Sequence, residues 1–226
     1  MDKKTFIHKA WELQAHYRCS DEVRAHLALL DLVAVVGATG AGKTTIMERS
    51  GIPYILSDVT RDPRKHEKDG VDYNFRTDYD QLMHELETGQ FTQYLISQTG
   101  EFYGTKASAY PAQGLCTMAL YANALNFFRS LGFRTFVPVY IIPPNYSEWM
   151  KRSKANRDNE TTKRLQEAKE SMELALSDSS YHFMVNDDLL RAIDEFKAIA
   201  GGQPIDAAIQ ERAREVTIEL MTKIEV

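Results

Sequence analysis

The chain has 226 residues, a formal net charge of −5, 43% hydrophobic residues and 26% charged residues. This composition is typical of a globular protein, and the negative charge argues against a broad nucleic-acid-binding surface. No segment contains the roughly 18 consecutive apolar residues of a membrane-spanning helix, and the start of the sequence lacks the apolar stretch of a signal peptide. Two scattered cysteines, Cys19 and Cys116, are too few for a disulfide framework or a zinc site. We therefore expect a cytoplasmic protein whose partners are neither nucleic acids nor membranes.

Apolar residues at helical spacing predict an N-terminal helical extension over residues 1–30, with Ser20 as an N-cap between two helices. A continuous apolar run then covers residues 32–36 and predicts a strand that is buried on both faces of a parallel sheet. A second run of this kind covers residues 136–142. Helical patterns occur at residues 148–154, 161–176 and 189–199. Strands that alternate with helices predict an α/β fold with a parallel sheet flanked by helices.

Residues 37–44 read GATGAGKT and match the pattern G-x-x-x-x-G-K-[ST] between the first predicted strand and a helical segment. In such a loop the glycines let successive backbone N–H groups face an anion, and the N-terminus of the helix adds its dipole. Lys43 supplies a cation to the β- and γ-phosphates of ATP, and Thr44 offers its hydroxyl to Mg²⁺. The pattern predicts a P-loop NTPase-type sheet and an ATP site formed by Gly37, Ala38, Thr39, Gly40, Ala41, Gly42, Lys43, Thr44 and Thr45.

Two arginines three residues apart, Arg61 and Arg64, predict a second phosphate site. Pro63 holds them in a rigid turn, and two guanidinium groups can bind one dianionic phosphate through paired hydrogen bonds. Residues 57–64 (SDVTRDPR) and 69–75 (DGVDYNF) resemble the guanylate kinase segments S-x-T-T-R-x-P-R and G-x-D-Y-x-F. The resemblance implies that the phosphate of an accepting nucleotide is held by Ser57, Arg61, Arg64 and Tyr73.

Two shorter segments resemble the same family, in the same order along the chain. Residues 100–105 (GEFYGT) resemble G-x-Y-Y-G-[ST], which implies that Tyr103 and Thr105 lie near the phosphate and base of the acceptor. Residues 185–189 (VNDDL) resemble V-N-D-D-L, which implies that Asn186 lies near the adenine of ATP. The resemblance extends from about residue 32 to residue 200, and the common order of the motifs is more specific than any single motif.

A basic segment at about residues 150–165 resembles the lid of the family. Arg152 and Arg164 match the lid arginines, Arg157 is displaced by one residue, and the loop is shorter than usual. Phosphoryl transfer leaves little covalent work to the protein, so cations near the transferred group make up most of its contribution. The resemblance implies that the catalytic residues are Lys43, Arg152, Arg157 and Arg164.

The positions at which guanylate kinases read the base depart from the family pattern. Alignment puts Gln93 where a first carboxylate is typical, and it puts Ala119 and Tyr121 where two aspartates are typical. A carboxylate accepts hydrogen bonds from both N1–H and the N2 amine of guanine, whereas a glutamine amide has one acceptor oxygen. We therefore expect Gln93 and Tyr121 to contact the acceptor base with relaxed or redirected specificity. Ala119 also removes a carboxylate from the Mg²⁺ site. The ligands that remain are Thr44, the phosphates and water, unless Asp58 or Glu101 compensates.

The resemblance implies a nucleoside monophosphate kinase that transfers the γ-phosphate of ATP, with Mg²⁺, to GMP or dGMP. Residues 31–226 are expected to form the guanylate-kinase-like domain, with a lobe for the monophosphate at about residues 58–110. Two alternatives stay open: a related enzyme for a different or modified (d)NMP, and a module that only binds phosphorylated peptides. The complete loop at residues 37–44 argues against the module, because peptide binding needs no site for a γ-phosphate.

Overall fold

The computed structural model describes residues 1–65, 67–97, 99–154 and 161–224, without the side chains of residues 154 and 161–163. The chain divides into two compact units. We call one the parallel-sheet unit, which comprises the described residues of 31–54, 117–130 and 135–226. We call the other the mixed-sheet unit, which comprises those of 1–30, 55–116 and 131–134.

The bounds of the elements are as follows. Among the described residues, the strands are β1 (Leu30–Val36), β2 (Asp58–Val59), β3 (Asn74–Phe75), β4 (Phe91–Ile96), β5 (Phe102–Lys106), β6 (Gly114–Ala119), β7 (Thr135–Ile142) and β8 (His182–Val185). The α-helices in the same part of the chain are α1 (Lys3–Gln14), α2 (Asp21–Leu27), α3 (Lys43–Ser50), α4 (Tyr79–Glu87), α5 (Leu125–Arg129), α6 (Tyr146–Lys154), α7 (Thr161–Ser177), α8 (Leu189–Ala200) and α9 (Ala207–Thr222). None of the described helices combines the length and the apolar composition that a membrane span requires.

The parallel sheet has the strand order β6-β1-β7-β8. β1 pairs in parallel with β7, where Val35 lies opposite Val139, and β7 pairs in parallel with β8. Both predicted strands are therefore confirmed, as is the α/β fold with a parallel sheet flanked by helices. Side chains of the sheet and of its helices share one apolar cluster, which includes Tyr140, Phe183, Trp149, Met172 and Leu220.

The mixed sheet has the strand order β3-β2-β5-β4. β5 is antiparallel to both β2 and β4, whereas β2 is parallel to β3. Helices α1 and α4 supply Phe6 and Leu82 to an apolar cluster that also contains Phe91 and Phe102 of the sheet. The predicted N-cap is confirmed, because the hydroxyl of Ser20 accepts a hydrogen bond from a backbone N–H in the first turn of α2.

Candidate active site

The phosphate loop joins β1 to α3 in the parallel-sheet unit, and its residues 37–42 lead into the N-terminus of the helix. A Cβ at Gly37 would lie 2.3 Å from the carbonyl oxygen of Ile141, so a larger residue has no space there. Gly42 is the N-cap of α3 with a φ of 95°, and a Cβ there would lie 2.2 Å from the side-chain nitrogen of Asn186. The structure thus has the strand, loop and helix order that the motif requires.

The ammonium group of Lys43 lies against carbonyl oxygens of the loop. Its Nζ donates to the oxygen of Gly37 at 2.6 Å and to that of Ala38 at 3.1 Å. Burial lowers the pKa of Lys43 to about 8. Thr44 follows in the first turn of α3 with an exposed side chain, whereas Thr45 is half-buried. The residues predicted to bind ATP, 37–45, therefore form one continuous segment, and the ammonium group of Lys43 contacts the loop within it.

The first turn of α3 suits a Mg²⁺ site that uses few protein ligands. Mg²⁺ in nucleotide sites usually keeps several waters and binds one or two protein groups together with the phosphates. The exposed side chain of Thr44 lies at the N-terminus of the helix, where phosphates bind in loops of this kind. The residues present fit the ion.

The two carboxylates considered as substitute Mg²⁺ ligands, Asp58 and Glu101, have protein partners within the mixed-sheet unit. Asp58 is 3% exposed and forms a salt bridge with Arg76. Glu101 accepts hydrogen bonds from Nζ of Lys3 and from the hydroxyl of Thr60, each at 2.8 Å. Both carboxylates therefore balance cations of their own unit.

Asn186, which the resemblance puts near the adenine, follows β8 directly and is buried against the phosphate loop. Its Nδ2 donates to the carbonyl oxygen of Ala41 at 2.8 Å, and its backbone N–H donates to that of Ile142 at 2.8 Å. Its own carbonyl oxygen accepts from Nη1 of Arg152 at 2.9 Å. Asn186 therefore joins the loop, the sheet and α6.

Helix α6 is attached to the phosphate loop through the carbonyl oxygen of Thr39. The indole Nε1 of Trp149 donates to this oxygen at 2.9 Å, and the hydroxyl of Ser153 donates to it at 3.3 Å. Trp149 is 2% exposed and packs edge-on against Tyr146. Sequence reasoning missed this contact, because a tryptophan on an amphipathic helix is also typical of an ordinary core residue.

The structure describes two of the three predicted lid arginines. Arg152 on α6 donates Nε to Glu148 at 3.1 Å, in addition to its contact with Asn186. Arg164 is half-buried on α7. Arg157 lies outside the described residues. The catalytic role of these arginines stays a prediction.

Ser57, Gln93 and Thr105 form a polar group on the mixed sheet. Gln93 of β4 lies opposite Thr105 of β5 in the sheet register, which directs both side chains to the same face. The hydroxyl of Thr105 lies 3.2 Å from that of Ser57 and accepts a hydrogen bond from Nε2 of Gln93 at 3.4 Å. The structure thus brings together three residues that were predicted at the acceptor.

Arg61 is enclosed by the two tyrosines that were predicted to share its site. Its Nε donates to the hydroxyl of Tyr103 at 3.2 Å. Its Cζ lies 5.0 Å from the ring centroid of Tyr73 and 5.5 Å from that of Phe75. Stacking on these rings and the hydrogen bond to Tyr103 fix the plane of the guanidinium group.

Glu67, which sequence reasoning missed, binds the Arg61 guanidinium with both carboxylate oxygens. Oε1 accepts from Nη2 of Arg61 at 2.8 Å, and Oε2 accepts from Nη1 and from the backbone N–H of Arg64. Burial raises the pKa of Glu67, but the hydrogen bonds from Arg61 and Arg64 outweigh burial and hold this pKa below its usual value. The sequence indicates this ion pair only through an acidic residue within a basic, turn-rich segment, and such a segment is also typical of a solvated loop.

The last two predicted acceptor residues, Arg64 and Tyr121, have exposed side chains. The Arg64 side chain is 60% exposed, and its Nη1 lies 3.9 Å from Glu67. Tyr121 belongs to the parallel-sheet unit, where it follows β6 and is 70% exposed. Ala119 is the last residue of β6. Contact between Tyr121 and an acceptor base stays a prediction.

Comparison with known proteins identifies a family for most of the chain. The guanylate kinase family model matches residues 31–201. A guanylate kinase from Alcanivorax borkumensis is 29% identical over 204 residues, which cover 83% of this chain and 94% of that protein. A guanylate kinase from Myxococcus xanthus is 25% identical over 200 residues, which cover 84% of this chain and 90% of that protein.

A solved structure supports the fold. The crystal structure of guanylate kinase from Anaplasma phagocytophilum has a TM-score of 0.52 to this chain at 18% identity, and the superposition covers 88% of this chain and 97% of the other. At this level of identity the likeness concerns the fold alone. Because the family model matches well over half of the sequence, the chain belongs to the guanylate kinase family.

Proposed function

We propose that this protein is a cytoplasmic nucleoside monophosphate kinase that transfers the γ-phosphate of ATP to GMP or dGMP. The observation that carries the proposal is the presence in one chain of two groups of residues suited to phosphate, the loop with Lys43 and the cluster around Arg61. A module that binds phosphopeptides needs only the second group. A kinase of this type needs both, one for the donor and one for the acceptor.

The donor is assigned to residues 37–45, which comprise the phosphate loop and the start of α3. Backbone N–H groups and the dipole of α3 bind the triphosphate, and Lys43 exchanges its carbonyl partners for phosphate oxygens. Thr44 would hold Mg²⁺ together with the phosphates, and the ion would supply positive charge there. Asn186 supports the loop and contacts the adenine. The lid residues assigned to the transferred group are Arg152, Arg157 and Arg164.

The acceptor is assigned to the mixed-sheet unit. Its phosphate binds Arg61 and Arg64, because two guanidinium groups match the charge and geometry of a dianion. The hydroxyl groups of Ser57, Tyr73 and Tyr103 complete the set of donors to this phosphate. The acceptor base contacts Gln93 and Thr105 of this unit.

The reaction on this assignment is an in-line displacement at the γ-phosphorus. An oxygen of the acceptor phosphate forms the new P–O bond, and the bond between the γ-phosphorus and the β–γ bridging oxygen breaks. The electron pair of that bond stays on ADP, whose added charge Lys43 stabilises. The side chains form no covalent bond. They align the two nucleotides and neutralise charge, which are the contributions that phosphoryl transfer requires.

The residue at position 93 is the reason to consider an acceptor with a base other than guanine, because it is a glutamine. Because its Nε2 donates to Thr105, its Oε1 can accept from a bound base. One amide oxygen accepts from N1–H or from the N2 amine of guanine, but it lacks the charge and the second oxygen of a carboxylate. A different or modified base is therefore the second candidate.

A substrate panel tests the proposal. The purified protein is incubated with ATP, Mg²⁺ and each of the common NMPs and dNMPs, and ADP formation is measured. Preference for GMP or dGMP supports the proposal, preference for another nucleotide favours the second candidate, and no turnover with any of them contradicts a kinase that acts on the common nucleotides. Gln93→Glu is the matched variant: it restores a charged acceptor and should raise kcat/KM for GMP relative to AMP by at least about tenfold.

A further inference from the structure

The first 17 residues, which precede the region matched by the family model, are part of the mixed-sheet unit. Phe6 of α1 is fully buried in the same apolar cluster as Phe102 of β5. The hydroxyl of Tyr94 in β4 donates to the carbonyl oxygen of Ala10 at 2.8 Å, and the hydroxyl of Tyr17 donates to that of Phe91 at 2.7 Å. This segment is therefore joined to the two strands that carry Gln93, Tyr103 and Thr105.

A chain of polar contacts runs from this segment to the backbone of the acceptor cluster. Lys3 Nζ lies 2.8 Å from Oε1 and 2.8 Å from Oε2 of Glu101. Oε2 of Glu101 accepts from the hydroxyl of Thr60 at 2.8 Å. That hydroxyl in turn accepts from the backbone N–H of Phe102 at 2.9 Å, while the backbone N–H of Thr60 donates to the carbonyl oxygen of Phe102 at 3.2 Å.

The two residues at the end of this chain directly precede two residues assigned to the acceptor phosphate. Thr60 precedes Arg61, and Phe102 precedes Tyr103, whose hydroxyl accepts from Arg61. Thr60 is 4% exposed, so its hydroxyl depends on protein partners. The carboxylate of Glu101 accepts the hydrogen bond of this hydroxyl and so holds it in place. Lys3 neutralises the negative charge of that carboxylate, which lies close in sequence to Tyr103 of the acceptor phosphate site.

We propose that Lys3 is a positioning residue for the acceptor phosphate site, acting through Glu101 and Thr60 on the backbone that carries Arg61 and Tyr103. The inference rests on the proposed function, because it assigns that site to the accepting nucleotide. Lys3 touches neither nucleotide in this account. All of these contacts lie within the mixed-sheet unit, so we expect Lys3 to affect the binding of the acceptor and not the binding of ATP.

The test compares Lys3→Ala with Lys3→Arg, which keeps the charge, and with Lys9→Ala, an exposed lysine on the same helix. We expect Lys3→Ala to raise the KM for GMP by about 3- to 10-fold, a size suited to one partly exposed charged contact. The KM for ATP should stay within about twofold, Lys3→Arg should recover most of the loss, and Lys9→Ala should match wild type. A second comparison repeats Lys3→Ala in a Glu101→Gln background, where it should have little further effect because the charged partner is gone.

Either of two kinetic results would overturn the inference. One is an unchanged KM for GMP in Lys3→Ala, and the other is an equal rise in the KM for ATP, which indicates general destabilisation. Hydrogen exchange at the backbone amides of Thr60 and Phe102 is a readout that does not depend on turnover: exchange should be faster in Lys3→Ala and recover in Lys3→Arg. If wild type fails to phosphorylate any nucleotide, the proposed function fails, and the exchange data alone decide whether Lys3 orders this backbone. Unchanged exchange then overturns the inference.

Discussion

Arg61 and Glu67 form a two-point ion pair within the site assigned to the acceptor phosphate, with Nη2 of Arg61 2.8 Å from Oε1 of Glu67. Both side chains are largely buried, at 13% and 15% exposure. A carboxylate presents its two oxygens to a guanidinium group much as a phosphate does. The carboxylate of Glu67 therefore occupies the hydrogen-bond donors of Arg61 that the phosphate of an accepting nucleotide would need.

Arg61 is the first residue to test in this site. Arg61→Ala should raise the KM for GMP and lower kcat, each by about 10- to 1,000-fold, because a charge-assisted contact with two hydrogen bonds is lost. Arg61→Lys keeps the charge without the planar fork and should recover only part of the loss. Steady-state kinetics with either substrate varied provides the measurement. A large rise in the KM for ATP with no effect on GMP would assign Arg61 to the donor instead.

Glu67 should compete with the acceptor for Arg61. Glu67→Gln removes the negative charge that a dianionic phosphate has to displace, so the KM for GMP should fall by about 3- to 10-fold. Glu87→Gln, an exposed position at the end of α4, is the matched control and should leave the KM unchanged. A higher KM in Glu67→Gln would mean that the carboxylate orients Arg61 in the complex and does not compete with the substrate.

Trp149 should affect the donor side. Trp149→Phe keeps an aromatic ring in the core but removes the hydrogen bond to Thr39, which is worth about 1 kcal/mol. We expect the KM for ATP to rise by about 3- to 10-fold and Tm to fall by about 2–4 °C. Trp11→Phe serves as the control, because the Trp11 side chain is exposed and lies on α1. Kinetics in which GMP is affected as strongly as ATP would argue against a specific link between α6 and the loop.

ATP binding should depend on pH through Lys43. Burial lowers the pKa of this residue to about 8 in the free protein. Bound phosphates favour the charged form, so the complex holds the proton to higher pH than the free protein does. Affinity for ATP should therefore be constant below about pH 8 and should fall by up to about tenfold per pH unit above it.

Calorimetric titration with MgATP between about pH 7 and pH 10 measures this dependence, and it should also detect proton uptake on binding at the alkaline end. Lys43→Met is the control, because its weaker binding should not vary with pH in this range. Wild-type affinity that stays level to about pH 10 would show that Lys43 does not titrate against the phosphates.

The parts of the site that could be predicted from the sequence are those whose residues are contiguous. The loop at residues 37–44 needs only a strand before it and a helix after it, and both are visible as local patterns. The acceptor residues could be predicted in part, because the resemblance names Gln93 and Thr105, which the β4–β5 register pairs, and Arg61 and Tyr103, which are hydrogen-bonded.

The contacts that escaped prediction depend on tertiary structure. Asn186 reaches Ala41 across 145 positions of sequence, and Trp149 reaches Thr39 across 110 positions. Neither side chain has a local pattern that separates such a contact from ordinary packing. Glu67 is near Arg61 in sequence, but its role depends on how the turn folds back, which charge spacing alone does not determine.

Transfer of labelled phosphate from ATP to GMP is the direct measurement of the proposed reaction. Wild-type protein is incubated with Mg²⁺, GMP and ATP labelled in the γ-phosphate, and the products are separated by chromatography. We expect the label to appear in the β-phosphate of GDP in step with ADP formation, and we expect Lys43→Met to abolish the transfer while the protein stays folded. Label that is released as inorganic phosphate without any GDP, or transfer that survives in Lys43→Met, would contradict the proposed phosphoryl transfer.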